Sequence, residues 1–84
     1  MIHSPQIWKL LQQHMTTDIW YSIDTIYQVI EKHHQLDDAD FEPQAPTSSI
    51  PKWKRNVRNV LQYRKGKSQL LWDGGARYKL ATKI

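Results

Sequence analysis

Residues 51–65 read PKWKRNVRNVLQYRK, and two patterns run through the same fifteen positions. Trp53, Val57, Val60 and Leu61 recur at i, i+4, i+7 and i+8, the spacing of one face of an α-helix and of no strand. With about 100° between successive residues, Arg55, Arg58, Asn59 and Gln62 project opposite Trp53 and Val57, and Lys52, Lys54 and Lys65 flank them. The stretch predicts a helix that buries one apolar side and presents cations and amides on the other. Pro51 suits the first turn, where a missing N–H costs no hydrogen bond, so Ser49 or Ile50 is the expected cap. Gly66 is the expected stop.

A helix of this length spans about 22 Å and fits a major groove, and Arg, Lys, Asn and Gln are the side chains that pair with phosphates and base edges. Most basic helix faces are simply solvated, so the charge of the rest of the chain weighs between the two readings. Residues 1–50 hold two lysines against seven acids, a net −5; residues 51–84 hold ten Lys or Arg against Asp73 alone, a net +9. Solubility needs no such segregation, whereas a polyanionic partner does. Nucleic acid fits best. An anionic membrane surface fits less well, because the second half has no lipid-facing apolar stripe apart from its core.

Beyond the helix, Lys67–Trp72 and Ala76–Leu80 are strand-like runs joined by Asp73-Gly74-Gly75. Asp-Gly between such runs predicts a hairpin with both central turn residues at positive φ. Alternation puts Tyr78 and Leu80 on one face of the last strand, Arg77 and Lys79 on the other. Residues Ala81 to Ile84 are expected to fray.

Toward the N-terminus, Ser4-Pro5 is a start signal, Ser4 capping and Pro5 opening a helix over 5–15 whose apolar stripe is Ile7, Trp8, Leu10, Leu11 and Met15. Trp8 lies beside that stripe and belongs to the core. Ile19-Trp20-Tyr21 reads as a short strand. Ser22 caps a second helix over 23–34 with Ile23, Ile26, Tyr27 and Ile30 on its apolar side. The link over 35–50 is acidic, then rich in Pro and Ser, with one turn near 38–41 and Phe41 expected to anchor it to the core. A helix-turn-helix would use about three or four residues here.

Helix, short strand, helix, long loop, helix and hairpin make an α+β chain in the order of a winged helix-turn-helix, one domain over 1–84. The segment PKWKRNVRNVLQ followed by RYKL resembles the accessory or N-terminal winged-helix modules of Mrr-type restriction endonucleases, in which a Trp and a V-R pair sit on the third helix and an aromatic closes the last strand. The resemblance runs from Ile7 to Thr82. DGGARY departs from the usual glycine-rich wing tip, and no nuclease domain follows in this sequence. The resemblance implies a DNA-binding fold in a restriction or phage-defence context, in which a nuclease domain would be the further partner, and carries over no catalytic residue.

Other chemistries find little purchase. The chain has no cysteine, so disulfides and thiolate zinc sites are excluded. His33 and His34 with Asp37, Asp38 and Asp40 have metal-binding residue types, but adjacent helical histidines diverge by about 100°, and the acids miss the calcium-loop spacing. They read as solvated loop charges. The glycines serve a stop and a turn, not a phosphate loop, and no Ser is marked as a nucleophile. The expectation is a binding module without catalysis, cofactor or metal. With no apolar run of membrane-span or signal length, the expected place is the cytoplasm or nucleoid.

For double-stranded DNA, the expected base readers are Arg55, Asn59 and Gln62; Lys52, Lys54, Arg58, Lys65 and Lys67 would hold phosphates, with Arg77 or Lys79 reaching from the wing. Arg58 has a second reading, a fold-back pair with a loop acid. A different class of function uses the same face to dock an acidic protein or the acidic half of another copy, with the acidic loop covering the helix. RNA is a third reading, with Tyr63, Trp20 or Trp72 stacking on unpaired bases.

Overall fold

The computed structural model describes residues 1–47 and 49–81. Its elements are α1 (Ser4–His14), β1 (Tyr21–Ser22), α2 (Ile23–His33), α3 (Lys52–Gly66), β2 (Leu70–Trp72) and β3 (Arg77–Leu80). The strands form one antiparallel sheet in the order β1-β3-β2. The described residues are therefore α+β, with three helices and a three-stranded sheet. Register is set by Tyr21↔Tyr78 and Ser22↔Arg77 on one side of β3, and by Leu70↔Leu80, Leu71↔Lys79 and Trp72↔Tyr78 on the other.

The element starts follow local chemistry with small shifts. α1 begins one residue earlier than expected: His3, not Ser4, is its cap, and the His3 N–H donates to Gln6 Oε1 at 2.9 Å. Ser22 caps α2 as expected, its Oγ accepting from the Thr25 N–H at 3.2 Å. β1 is shorter and later than Ile19–Tyr21, leaving Ile19 and Trp20 exposed. Asp18 just before them has φ 67°, a left-handed conformation that an aspartate tolerates better than most residues.

α3 departs from expectation at both ends. Its cap is Pro51, not Ser49 or Ile50, and among the described residues no side chain satisfies its first N–H groups. The loop does so instead: Lys52 N–H donates to Glu42 O at 2.8 Å and Trp53 N–H to Asp40 O at 3.1 Å. Those donors have no partner inside a helix, which is why the long link folds back onto this end. At the other end Gly66 is still helical, and the turn closes on Ser68 at φ 60° with Gln69 N–H bonded to Arg64 O. That closing turn consumes residues 67–69 and delays β2 to Leu70.

The loop's anchor is Asp40, not Phe41. The turn over 38–41 forms, but Phe41 is 56% exposed while Asp40 is 1% exposed. The Asp40 carboxylate accepts from the Ile2 N–H at 2.8 Å and the Asp37 N–H at 3.0 Å, so its charge is met by donors where a phenyl ring would leave them unpaired. Adjacent residues of one tight turn cannot both point inward.

Trp53, Val57, Val60 and Leu61 are all buried, in one cluster with Ile7, Trp8, Leu11, Ile26, Ile30, Tyr78 and Leu80. Trp53 meets Tyr27 edge to face, centroids 5.5 Å apart at 75°. Its indole N–H has no acceptor among the described residues. In the hairpin only Gly74 takes positive φ, at 89°, rather than both central residues. Asp73 Oδ1 supports the turn by accepting from Gly75 N–H at 2.8 Å and Arg77 N–H at 3.3 Å. Of the tail expected to fray, Ala81 is held by an N–H bond to Gln69 O at 3.1 Å, and 82–84 lie outside the described residues.

Candidate nucleic-acid interface

The outward side of α3 is built as its phase requires. Arg55, Arg58, Asn59 and Gln62 are all exposed, opposite the buried stripe. Arg55 Nη2 donates to Asn56 Oδ1 at 3.4 Å, and Asn56 Nδ2 donates to Ile2 O at 3.4 Å, which ties this corner to the N-terminal segment. Gln62 Nε2 donates to the Tyr78 hydroxyl at 3.1 Å, joining the helix to β3. Burial pushes the Tyr27 phenol up, against the pull of the Arg58 guanidinium on the same flank.

The lysines are positioned in two ways. Lys52 Nζ pairs with Glu42 Oε2 at 3.2 Å, so among the described residues Lys52, and not Arg58, pairs with a loop acid. Both side chains are open to water, and such a pair contributes little to stability. Each of the other four lies over an aromatic ring: Lys54 at 5.0 Å from Tyr27, Lys65 at 4.4 Å from Trp72, Lys67 at 5.6 Å from Tyr63 and Lys79 at 4.8 Å from Trp20. An acid partner would neutralise the ammonium. A ring holds it in place and leaves its charge available to a phosphate.

The expected site residues do not form one surface. Arg55, Arg58, Asn59 and Gln62 lie together on α3, with Lys65 over Trp72 at the turn end of β2. Tyr78 and Leu80 are buried toward the helices while Arg77 and Lys79 occupy the opposite face of β3, as the alternation requires. Lys79 therefore reaches across to Trp20 ahead of β1 rather than toward α3.

Arg64 is the residue that periodicity alone overlooks. Its phase sets it at the edge of the buried stripe, yet its guanidinium lies 4.8 Å from the Trp8 ring and 5.3 Å from the Tyr63 ring, and Nη1 donates to Gln69 Oε1 at 2.8 Å. It lines a shallow cleft of about 250 Å³ with Ser4, Pro5, Asn59, Val60 and Tyr63. Trp8 is both core and a ledge for this cation.

The acidic loop sits at the N-terminal end of α3 and does not cover its outward face. Asp37 holds the Met1 ammonium, Asp40 is buried and Glu42 is held by Lys52. These acids are thus not simply solvated, and fewer of them are free to meet another copy. The Met1 pair and the Asp40 N–H hold the Asp37 carboxyl below its usual range. His33 does not turn toward the loop acids: its ring stacks on His14 at 3.6 Å and 4°. Among the described residues no group of three or more metal-ligating side chains converges, and no helix is long and apolar enough to cross a membrane. Comparisons with protein families, with characterised proteins and with solved structures found no significant match to this chain.

Proposed function

We propose that this chain is a winged-helix DNA-binding module that lays α3 in the major groove of a duplex. The observation that carries this reading is the exposed set Arg55, Arg58, Asn59 and Gln62 on a helix whose other side is buried, beside Lys54 and Lys65, which are held over rings and paired with no acid among the described residues. Amides and guanidinium groups are suited to base edges, and the lysines to phosphates. The element order and the pairing of β1 with the hairpin support a winged helix, with the long loop taking the place of the tight turn. The resemblance of PKWKRNVRNVLQ to the Mrr-type modules supports a restriction or phage-defence setting, where such a module would bring a nuclease domain to its target. The binding role needs no catalytic group, metal or cofactor of this chain's own.

The test is selection of a preferred duplex from a random pool, followed by affinity for that site and for random duplex at several salt concentrations. Binding that falls steeply with salt, with a preferred site bound more tightly, supports the reading. No binding to any duplex at low salt removes it.

A further inference from the structure

We propose that the face of the sheet turned away from the helices is a second nucleic-acid surface, one that takes a single strand. The register sets three side chains in a row across it. Leu71 pairs with Lys79 on one side, and the Tyr21↔Tyr78 pairing brings Trp20 beside Lys79 on the other. Trp20 is 41% and Leu71 45% exposed, large apolar groups in a place that serves no core. Lys79 Nζ lies 4.8 Å from the Trp20 ring centre, so its charge is fixed next to the indole, and among the described residues no acid pairs with it. Arg77 is exposed on the same face, two residues along β3 and so about 7 Å away. That is the interval between successive phosphates of an extended polynucleotide.

The chemistry selects among occupants. Two copies placed face to face would set Arg77 and Lys79 of each against the same cations of the other, and like charges so placed repel. Three of the loop's four acids, Asp37, Asp40 and Glu42, are already engaged within the chain, which leaves Asp38 to meet the two cations of another copy. An acidic peptide would answer the cations but offers Trp20 no flat π surface of its own. An unpaired base offers one, with its phosphate at the distance the cations require, and such stacking tolerates any base. Duplex DNA does not present free base faces. Single-strand binding here is independent of whether α3 enters a groove, since the two surfaces lie on different sides of the protein.

The experiment measures fluorescence anisotropy of a labelled oligothymidylate of about 12 nucleotides and of the preferred duplex selected from the random pool, each titrated with the parent chain and with variants checked by thermal melting. Trp20→Ala should weaken oligothymidylate binding at least about fivefold and leave duplex affinity little changed. Trp20→Leu, which keeps apolar bulk without a π face, should behave alike and serves if the alanine variant melts early. Arg55→Ala should do the reverse. Absence of oligothymidylate binding by the parent, or unchanged binding in both Trp20 variants, overturns the single-strand surface. So does loss of both probes together in Arg55→Ala, which would place the single strand on α3. Tighter, Trp20-dependent binding of a glutamate-rich peptide carrying phenylalanine would overturn it in favour of a protein partner. If duplex affinity ignores Arg55→Ala while oligothymidylate still depends on Trp20, the α3 reading fails and the sheet surface stands.

Discussion

Two buried residues carry unequal risks. Trp53 is 1% exposed in the centre of the core, so Trp53→Ala should cost about 3–5 kcal/mol, a large share of what a small domain possesses. Because its indole N–H bonds to no described acceptor, Trp53→Phe loses volume but no hydrogen bond and should cost clearly less. Urea unfolding of the two variants separates the volume from the polar contribution; equal losses would mean that the N–H has a partner. Asp40 is the opposite case, a buried carboxylate valued for its oxygens. Asp40→Ala strands the N–H groups of Ile2 and Asp37 and should cost about 1.5–3 kcal/mol. Because Asp40 O also receives the Trp53 N–H, the loss should appear as earlier hydrogen exchange at the start of α3, and a variant with unchanged exchange there would remove the anchoring role.

At the scale of elements, the two sides of α3 should separate in mutants. Lys54→Ala or Lys65→Ala removes one phosphate contact, so binding should weaken on every sequence and the salt slope should fall by about one unit. Arg55→Ala or Asn59→Ala should cost about 1–3 kcal/mol at the preferred site and little on random duplex. Loss that is equal on all sequences for all four would reduce the helix to a nonspecific anchor. The C-terminal ends of α1 and α2 meet through the stacked His14 and His33 rings. Desolvation first, then the charges of His14 and Lys32, hold the His33 imidazole below its ordinary value of 6.5. The folded chain then binds fewer protons than the unfolded chain once pH falls through that value. Stability should be full above about pH 6.5 and decline below it until the folded pKa is passed. The midpoint of melting measured at about pH 7.5 and about pH 5 checks the sign, and His33→Gln should lessen the decline.

The whole molecule is joined through contacts that no single element holds: α1 packs on both α2 and α3, and α3 packs on β2. A chain ended after Gln69 would lack Leu70, Tyr78 and Leu80, three members of the one buried cluster. It should lose the cooperative thermal transition of the full chain, and a truncated chain that still melts sharply would show that the helices form a unit without the sheet.

Periodicity and turn chemistry were enough to read the elements, their order and the two sides of α3, because each depends on geometry within a few residues: the stripe of Trp53, Val57, Val60 and Leu61 is a property of 100° per residue alone. Ser22 and Asp73-Gly74 announce their cap and turn in the same local way. Tertiary structure decided what local geometry cannot. It buried Asp40 in place of Phe41, because one of the donors that Asp40 meets is on Ile2, 38 positions away. It replaced a side-chain cap on α3 with carbonyls of a link that has no period to read. It set Lys65 over Trp72 and Lys79 over Trp20, and so divided the basic residues between a helix face and a sheet face. Charge can be counted along a chain, but which charges share a surface depends on strand register and helix packing, and those are settled only when the core closes.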